Sequence, residues 1–184
     1  MRELALHILD IVQNSVSAGA QYIKITAAEN LSTDRLFLSV EDNGKGMDEA
    51  MVARVVDPFV TSRTSRRVGL GIPLLKAAAE ACNGWFKISS TLGKGTLVEV
   101  EFQHSHIDRM PLGDMGSTIL NLVVSYPEIH WVYDYSVNGR HFEFDSQPIK
   151  DELGDEVPFT DPSVLAFLRE YISTGIASVQ TDTN

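Results

Sequence analysis

Only one cysteine, Cys82, stands among the 184 residues, so no internal disulfide can form. Set among alanines, that thiol is expected to be a small buried residue and not a nucleophile. Long apolar runs are absent too. No stretch is long enough to span a membrane, and the N-terminus lacks the apolar core of a signal peptide, which leads to the expectation of a cytoplasmic protein with no membrane partner. Basic charge is scarce: 15 Lys and Arg against 25 Asp and Glu give a net charge of −10. With no basic run, nucleic acid is disfavoured as a partner. A phosphate ligand stays open, held by backbone N–H groups, a metal and a few local cations; the one cationic cluster is Arg63, Arg66 and Arg67. The P-loop pattern and the dinucleotide Gly-x-Gly-x-x-Gly pattern are both missing. So are internal repeats and low-complexity segments.

What is present is an ordinary globular composition, 43% hydrophobic and 22% charged, in a length that suits one domain or one domain with a sizeable appendage. The stretch Asp42-Asn43-Gly44-Lys45-Gly46-Met47 stands out. It follows an alternating strand pattern, with Leu36, Leu38 and Val40 set against Phe37, Ser39 and Glu41. A carboxylate at a strand end can accept from the polar edge of a ligand, and glycines at alternate positions let that ligand lie against bare backbone. Asn-Gly after a strand is also a common hairpin signal, and on this stretch alone the two readings stand level.

Around it, spacing predicts a helix over residues 2–18, with Leu4, Ala5, Ile8, Ile11, Val12 and Val16 on one face. Glu3, His7, Asp10, Asn14 and Ser17 fall on the other. Strands are expected over 22–27 and 35–41, joined by a turn at 30–34. Asp48 can cap a short helix over 49–56, which Asp57-Pro58 closes. Residues 59–68 read as a loop running into Gly69-Leu70-Gly71. A helix then begins with Pro73 in its first turn and Leu74, Leu75, Ala78 and Cys82 as its buried stripe. Two glycines at a helix start favour an anion. Asn83-Gly84 ends that helix, and residues 85–90 and 97–102 form a hairpin across a glycine turn.

Taken in order, these stretches resemble the GHKL superfamily of histidine-kinase-like ATPases. Asp10-Ile-Val-Gln-Asn14 is similar to its N box, Asp42-x-Gly44-x-Gly46 to its G1 box, Asp57-Pro-Phe59-Val-Thr-Ser-Arg63 to the kinase F box and Gly69-Leu70-Gly71 to the G2 box. Gly93-Lys-Gly95-Thr96 is similar to the last glycine box. The resemblance covers residues 1–103. It implies an α/β two-layer sandwich with a mixed sheet and helices on one face, binding ATP with Mg²⁺. Carried over by position, Asp42 would accept from the adenine amino group, while Gly44 and Gly46 would admit the ring. Asn14 would ligate Mg²⁺. Gly69, Leu70 and Gly71 would offer N–H groups to the phosphates, and Arg63 a cation to the terminal one. Phe59 and Thr96 belong to the same nucleotide site, and residues 59–69 would be a lid. Asp10 stands where gyrase-like members place a catalytic Glu, one methylene shorter. With only Met1 to Glu3 ahead of the N box, the resemblance implies no phosphoacceptor-histidine module. His7 is expected to be an ordinary helix-face histidine.

Residues 104–184 match none of these boxes. They read as an α+β extension: a helix with Ile119, Leu120, Leu122 and Val123 inside, a hairpin turning at Asn138-Gly139, and a helix capped by Asp161 with Pro162 at its first position. The row Trp131, Tyr133, Tyr135 is expected to be core. His104 and His106 are expected to be linker residues. The extension would pack on the first domain, replace elements missing upstream, or form a homodimer face. The resemblance leaves two functional classes. One is a kinase or ATPase that passes the terminal phosphate to a protein or to water, which is favoured. The other is an ATP-dependent switch or anti-sigma-like module acting on a protein partner.

Overall fold

The computed structural model describes residues 3–57 and 70–180. Along the chain lie α1 (Leu4–Ser17), β1 (Tyr22–Asn30), β2 (Arg35–Asp42), α2 (Glu49–Val55), α3 (Gly71–Ala81), β3 (Trp85–Thr91) and β4 (Gly95–Gln103). There follow α4 (Met115–Ser125), β5 (His130–Val137), β6 (Arg140–Asp145), α5 (Ser146–Leu153) and α6 (Pro162–Gln180).

The six strands make one mixed sheet in the order β3-β4-β2-β1-β5-β6. Period-two alternation puts Ile23, Ile25 and Ala27 of β1, Leu36, Leu38 and Val40 of β2, and Val98, Val100 and Phe102 of β4 on one buried face, under the helices. Trp131, Tyr133 and Tyr135 continue that face on β5 and are fully buried, as expected of core. The C-terminal stretch therefore shares the sheet: β5 runs parallel to β1, from Tyr22↔His130 to Glu29↔Val137, and β6 closes the edge. The Asn138-Gly139 turn has positive φ at both residues, 48° and 83°, as a type I′ hairpin needs.

Some local expectations need correction. β1 runs on to Asn30, three residues beyond the expected strand end, because it pairs with β2 from Ile23 through to Asn30. The buried stripe of α3 is Ile72, Leu75 and Ala79, continued by Cys82; Leu74 is 47% exposed. A whole helix, α5, was not anticipated. Asp145 caps it by accepting from the Gln147 N–H, but it buries only Ser146 and so shows no apolar stripe to read.

The start of α1 is held from afar. Glu3 makes no side-chain cap there. Instead the N–H groups of Leu4 and Ala5 donate to the carbonyls of Pro111 and Leu112, each at 2.9 Å, which satisfies two of the donors a helix start leaves unpaired.

Candidate functional site

Asp42 ends β2, facing Ile23 across β1 and Thr96 across β4. Its side chain points to the helix-covered face, where it is 9% exposed. Two donors fix the carboxylate: the Ser15 hydroxyl at 2.6 Å from Oδ2 and the Gly44 N–H at 2.9 Å from Oδ1. Each carboxylate oxygen can accept twice, so acceptor capacity is left over on both. That remaining capacity faces a cavity of about 520 Å³ bordered by Ile11, Asn14, Ser15, Asp42, Gly46 and Thr96, with Ile72, Ile88 and Val98 among its apolar walls. A mostly apolar slot with a few aimed polar groups is the general form of a small-molecule site.

The turn after β2 is stitched in place on both sides. Asn43 Oδ1 accepts from the N–H groups of Gln21 and Tyr22, and the Lys45 N–H donates to the Ala18 carbonyl at the end of α1. Lys45 in turn accepts from the Gly93 N–H in the β3–β4 turn. A Cβ on Gly44 would lie 2.9 Å from Ala18 Cβ, and one on Gly46 would overlap the Thr91 carbonyl. The space these glycines leave is taken up by the protein itself; Gly46 borders the cavity and Gly44 does not.

The other expected site residues are distributed as follows. Asn14 is exposed on α1 and lines the cavity. Asp10, one turn earlier, is half-buried against α3, where a Cβ on Gly71 would stand 2.8 Å from its Oδ2; it does not border the cavity. Leu70 precedes α3 as its cap residue and is 50% exposed. Phe59, Arg63 and Gly69 lie outside the described residues, and so does the stretch 59–69 expected to be a lid.

His7 departs from its expected place on the polar face. It is buried, 3% exposed, and Nδ1 has no hydrogen-bond partner. Burial holds its pKa below the ordinary 6.5, against a smaller opposing contribution from the Gly71 backbone. The start of α3 covers what the helical spacing alone would leave to solvent. Cys82 is buried as expected, and burial pushes its thiol pKa up. His104 binds Glu29 Oε2 through Nε2 at 2.6 Å.

Two hydroxyls were missed by the sequence reading. One is Ser15, whose position next to Asn14 was the available signal. The other is Ser90 on β3, which accepts from the Met47 N–H at 2.8 Å, lies 3.0 Å from the Gly95 carbonyl and 2.8 Å from Thr96 Oγ1. No periodicity marks it. Among the described residues, no helix is long and apolar enough to cross a membrane.

The chain has relatives among known proteins. Residues 2–106 match the family model described as histidine kinase-, DNA gyrase B-, and HSP90-like ATPase. A putative sensor protein of Shewanella frigidimarina is 32% identical over 97 residues, covering 52% of this chain and 15% of that protein. The cell-division control histidine kinase PdhS of Brucella anthropi is 32% identical over 120 residues, covering 58% of this chain and 11% of its own length. The chain thus spans a small part of these relatives. In fold, the Aquifex aeolicus MutL ATPase domain complexed with ADP superposes with a TM-score of 0.55 at 14% identity, over 95% of this chain and 70% of that one. The N-terminal domain of a DNA repair protein superposes at 0.54 and 16% identity, over 79% and 52% of the two chains.

Proposed function

The chain belongs to the family of histidine kinase-, DNA gyrase B-, and HSP90-like ATPases, and from that premise we propose that it binds Mg·ATP in the cavity at the end of β2 and transfers or hydrolyses the terminal phosphate in a regulatory role. The observation that carries the reading is the Asp42 carboxylate. It is an acceptor-only group, pinned by Ser15 and Gly44, with lone pairs left for the exocyclic amine of adenine. Apolar walls from Ile72, Ile88 and Val98 suit the faces of a purine ring.

The donor set at the mouth suits a hard cation. Mg²⁺ takes oxygen ligands, and the Asn14 side-chain oxygen would hold it. When bound, the ion would draw charge from the phosphates. Asp10, on the same helix, would orient an attacking water or hydroxyl from its station beside the N-terminus of α3. A protein partner would supply the phosphate acceptor or receive the signal.

A second reading is an ATP-dependent switch without turnover. It is favoured by one observation: Asp10 packs against Gly71 and does not border the cavity. Incubation of the pure chain with Mg·ATP, followed by assay of ADP with and without candidate protein partners, separates the two. On the enzymatic reading Asp10→Asn abolishes ADP formation while ATP affinity by calorimetry stays within about twofold. Turnover that survives this substitution removes Asp10 from the role, and an absence of turnover in the parent chain leaves the switch.

A further inference from the structure

Around Asp42, at the floor of the cavity, three hydrogen-bond donors are turned into the protein. Ser15 gives its hydroxyl proton to Asp42, and the Gly44 N–H goes to the same carboxylate. The third donor is Thr96, and its direction is decided by Ser90. A serine hydroxyl has one proton and two lone pairs. The Met47 N–H can only donate to Ser90, and the Gly95 carbonyl can only accept from it. All three contacts of Ser90 are made together only if the Thr96 hydroxyl donates to Ser90 across their 2.8 Å separation. Thr96 Oγ1 then offers nothing but lone pairs elsewhere.

The geometry points to Ser90 as a specificity-determining positioning residue: by holding the Thr96 proton away from the ligand, it keeps the floor an all-acceptor surface that takes an amine and repels a carbonyl. Ser90 borders a second cavity of about 550 Å³, which Asp42 and Thr96 line as well, but not the one that these two share with Ser15. Toward a ligand in the latter, its effect runs through Thr96. The inference rests on the nucleotide reading above and adds to it a residue that no ligand need touch. Without the Ser90 hydroxyl, Thr96 is free to rotate and donate to an oxo group at the purine 6-position. A half-buried donor that can turn either way discriminates far less than one fixed in place.

The test is calorimetry on the full chain with ADP and with inosine diphosphate, which carries a carbonyl where adenine carries its amine. The parent chain prefers ADP. Ser90→Ala is expected to lower the ratio of ADP to inosine-diphosphate affinity by about fivefold or more, mainly through tighter binding of the latter. Ser90→Thr, which keeps a hydroxyl, is expected to restore it. Thr96→Val provides a second route. It deletes the lone pairs but leaves Ser90 with Met47 and Gly95, and the ratio again falls. An unchanged ratio in Ser90→Ala or in Thr96→Val, or an equal loss for both ligands, overturns the inference while the nucleotide reading stands. Failure of the parent chain to bind ADP at all overturns the nucleotide reading, and the inference goes with it.

Discussion

At the scale of single residues, Asp42 carries the heaviest chemical demand. Replacing it with Asn puts an N–H₂ group where only acceptors stood and faces it toward the Ser15 hydroxyl and the Gly44 N–H. Hydrogen bonds to a charged group contribute about 1.5–3 kcal/mol, so Asp42→Asn is expected to weaken ADP binding at least tenfold, as measured by calorimetry. His7 makes a different prediction. Its folded pKa lies below the 6.5 of the unfolded chain because burial disfavours the imidazolium. As pH falls through 6.5, the unfolded chain takes up a proton that the folded chain resists. The stability contribution is thus complete above 6.5 and declines below it, toward the lowered folded value. Thermal midpoints recorded from pH 8 to pH 5 should fall less steeply in His7→Gln than in the parent chain. A parallel pair of curves would show that His7 carries no such linkage. Asp42 and Asn14 were legible because motif and spacing mark them. Ser15 had only its place beside Asn14 to mark it, and Ser90 and the burial of His7 had nothing, since each of these two depends on a neighbour far along the chain that no local pattern encodes.

At the scale of elements, close approach between backbones decides where side chains are forbidden. Gly84 links the end of α3 to β3, and a Cβ there would overlap the Glu101 carbonyl of β4. That carbonyl belongs to a strand paired on both sides and cannot yield cheaply. Gly84→Ala is expected to cost about 1–3 kcal/mol, read as a drop of several degrees in the thermal midpoint. At Gly175 in α6 the obstacle is the Phe142 ring, a side chain able to tilt, so Gly175→Ala should cost less. Equal losses at the two sites would contradict the distinction. Most elements were legible for the ordinary reasons: alternation for β2 and β4, a cap for α2, and apolar stripes for α4 and α6. The stripe of α3 was misplaced because Pro73 and the alanines give the helix weak apolar contrast. α5 escaped because it lies on the surface with one buried serine.

For the whole molecule, strand order was the part least accessible to sequence. The expected fold class holds, with a mixed sheet and helices over one face. Nothing local says, however, that His130 will pair in parallel with Tyr22, more than a hundred residues earlier. That pairing buries β1 between β2 and β5 and makes one core of residues from both halves of the chain. The two tryptophans lie on either side of the sheet's centre, Trp85 exposed on edge strand β3 and Trp131 buried on β5. Unfolding by urea, followed by fluorescence in Trp85→Phe and separately in Trp131→Phe, is expected to give coincident transitions once the difference in stability is allowed for. Two separated transitions would mean that the halves fold independently. Removal of residues 104–184 should leave β1 as a bare edge and give an aggregation-prone product, checked by gel filtration.

The clasp between Pro111, Leu112 and the first turn of α1 joins the two halves in another sense. The helix it grips also carries Asn14 and Ser15. A rigid rod held at one end transmits a tilt to the other. A shift of the 104–113 connection would be expected to tilt that rod and with it change the shape of the cavity that Asn14 and Ser15 line. Such a shift would reach the cavity from behind, without crossing its mouth.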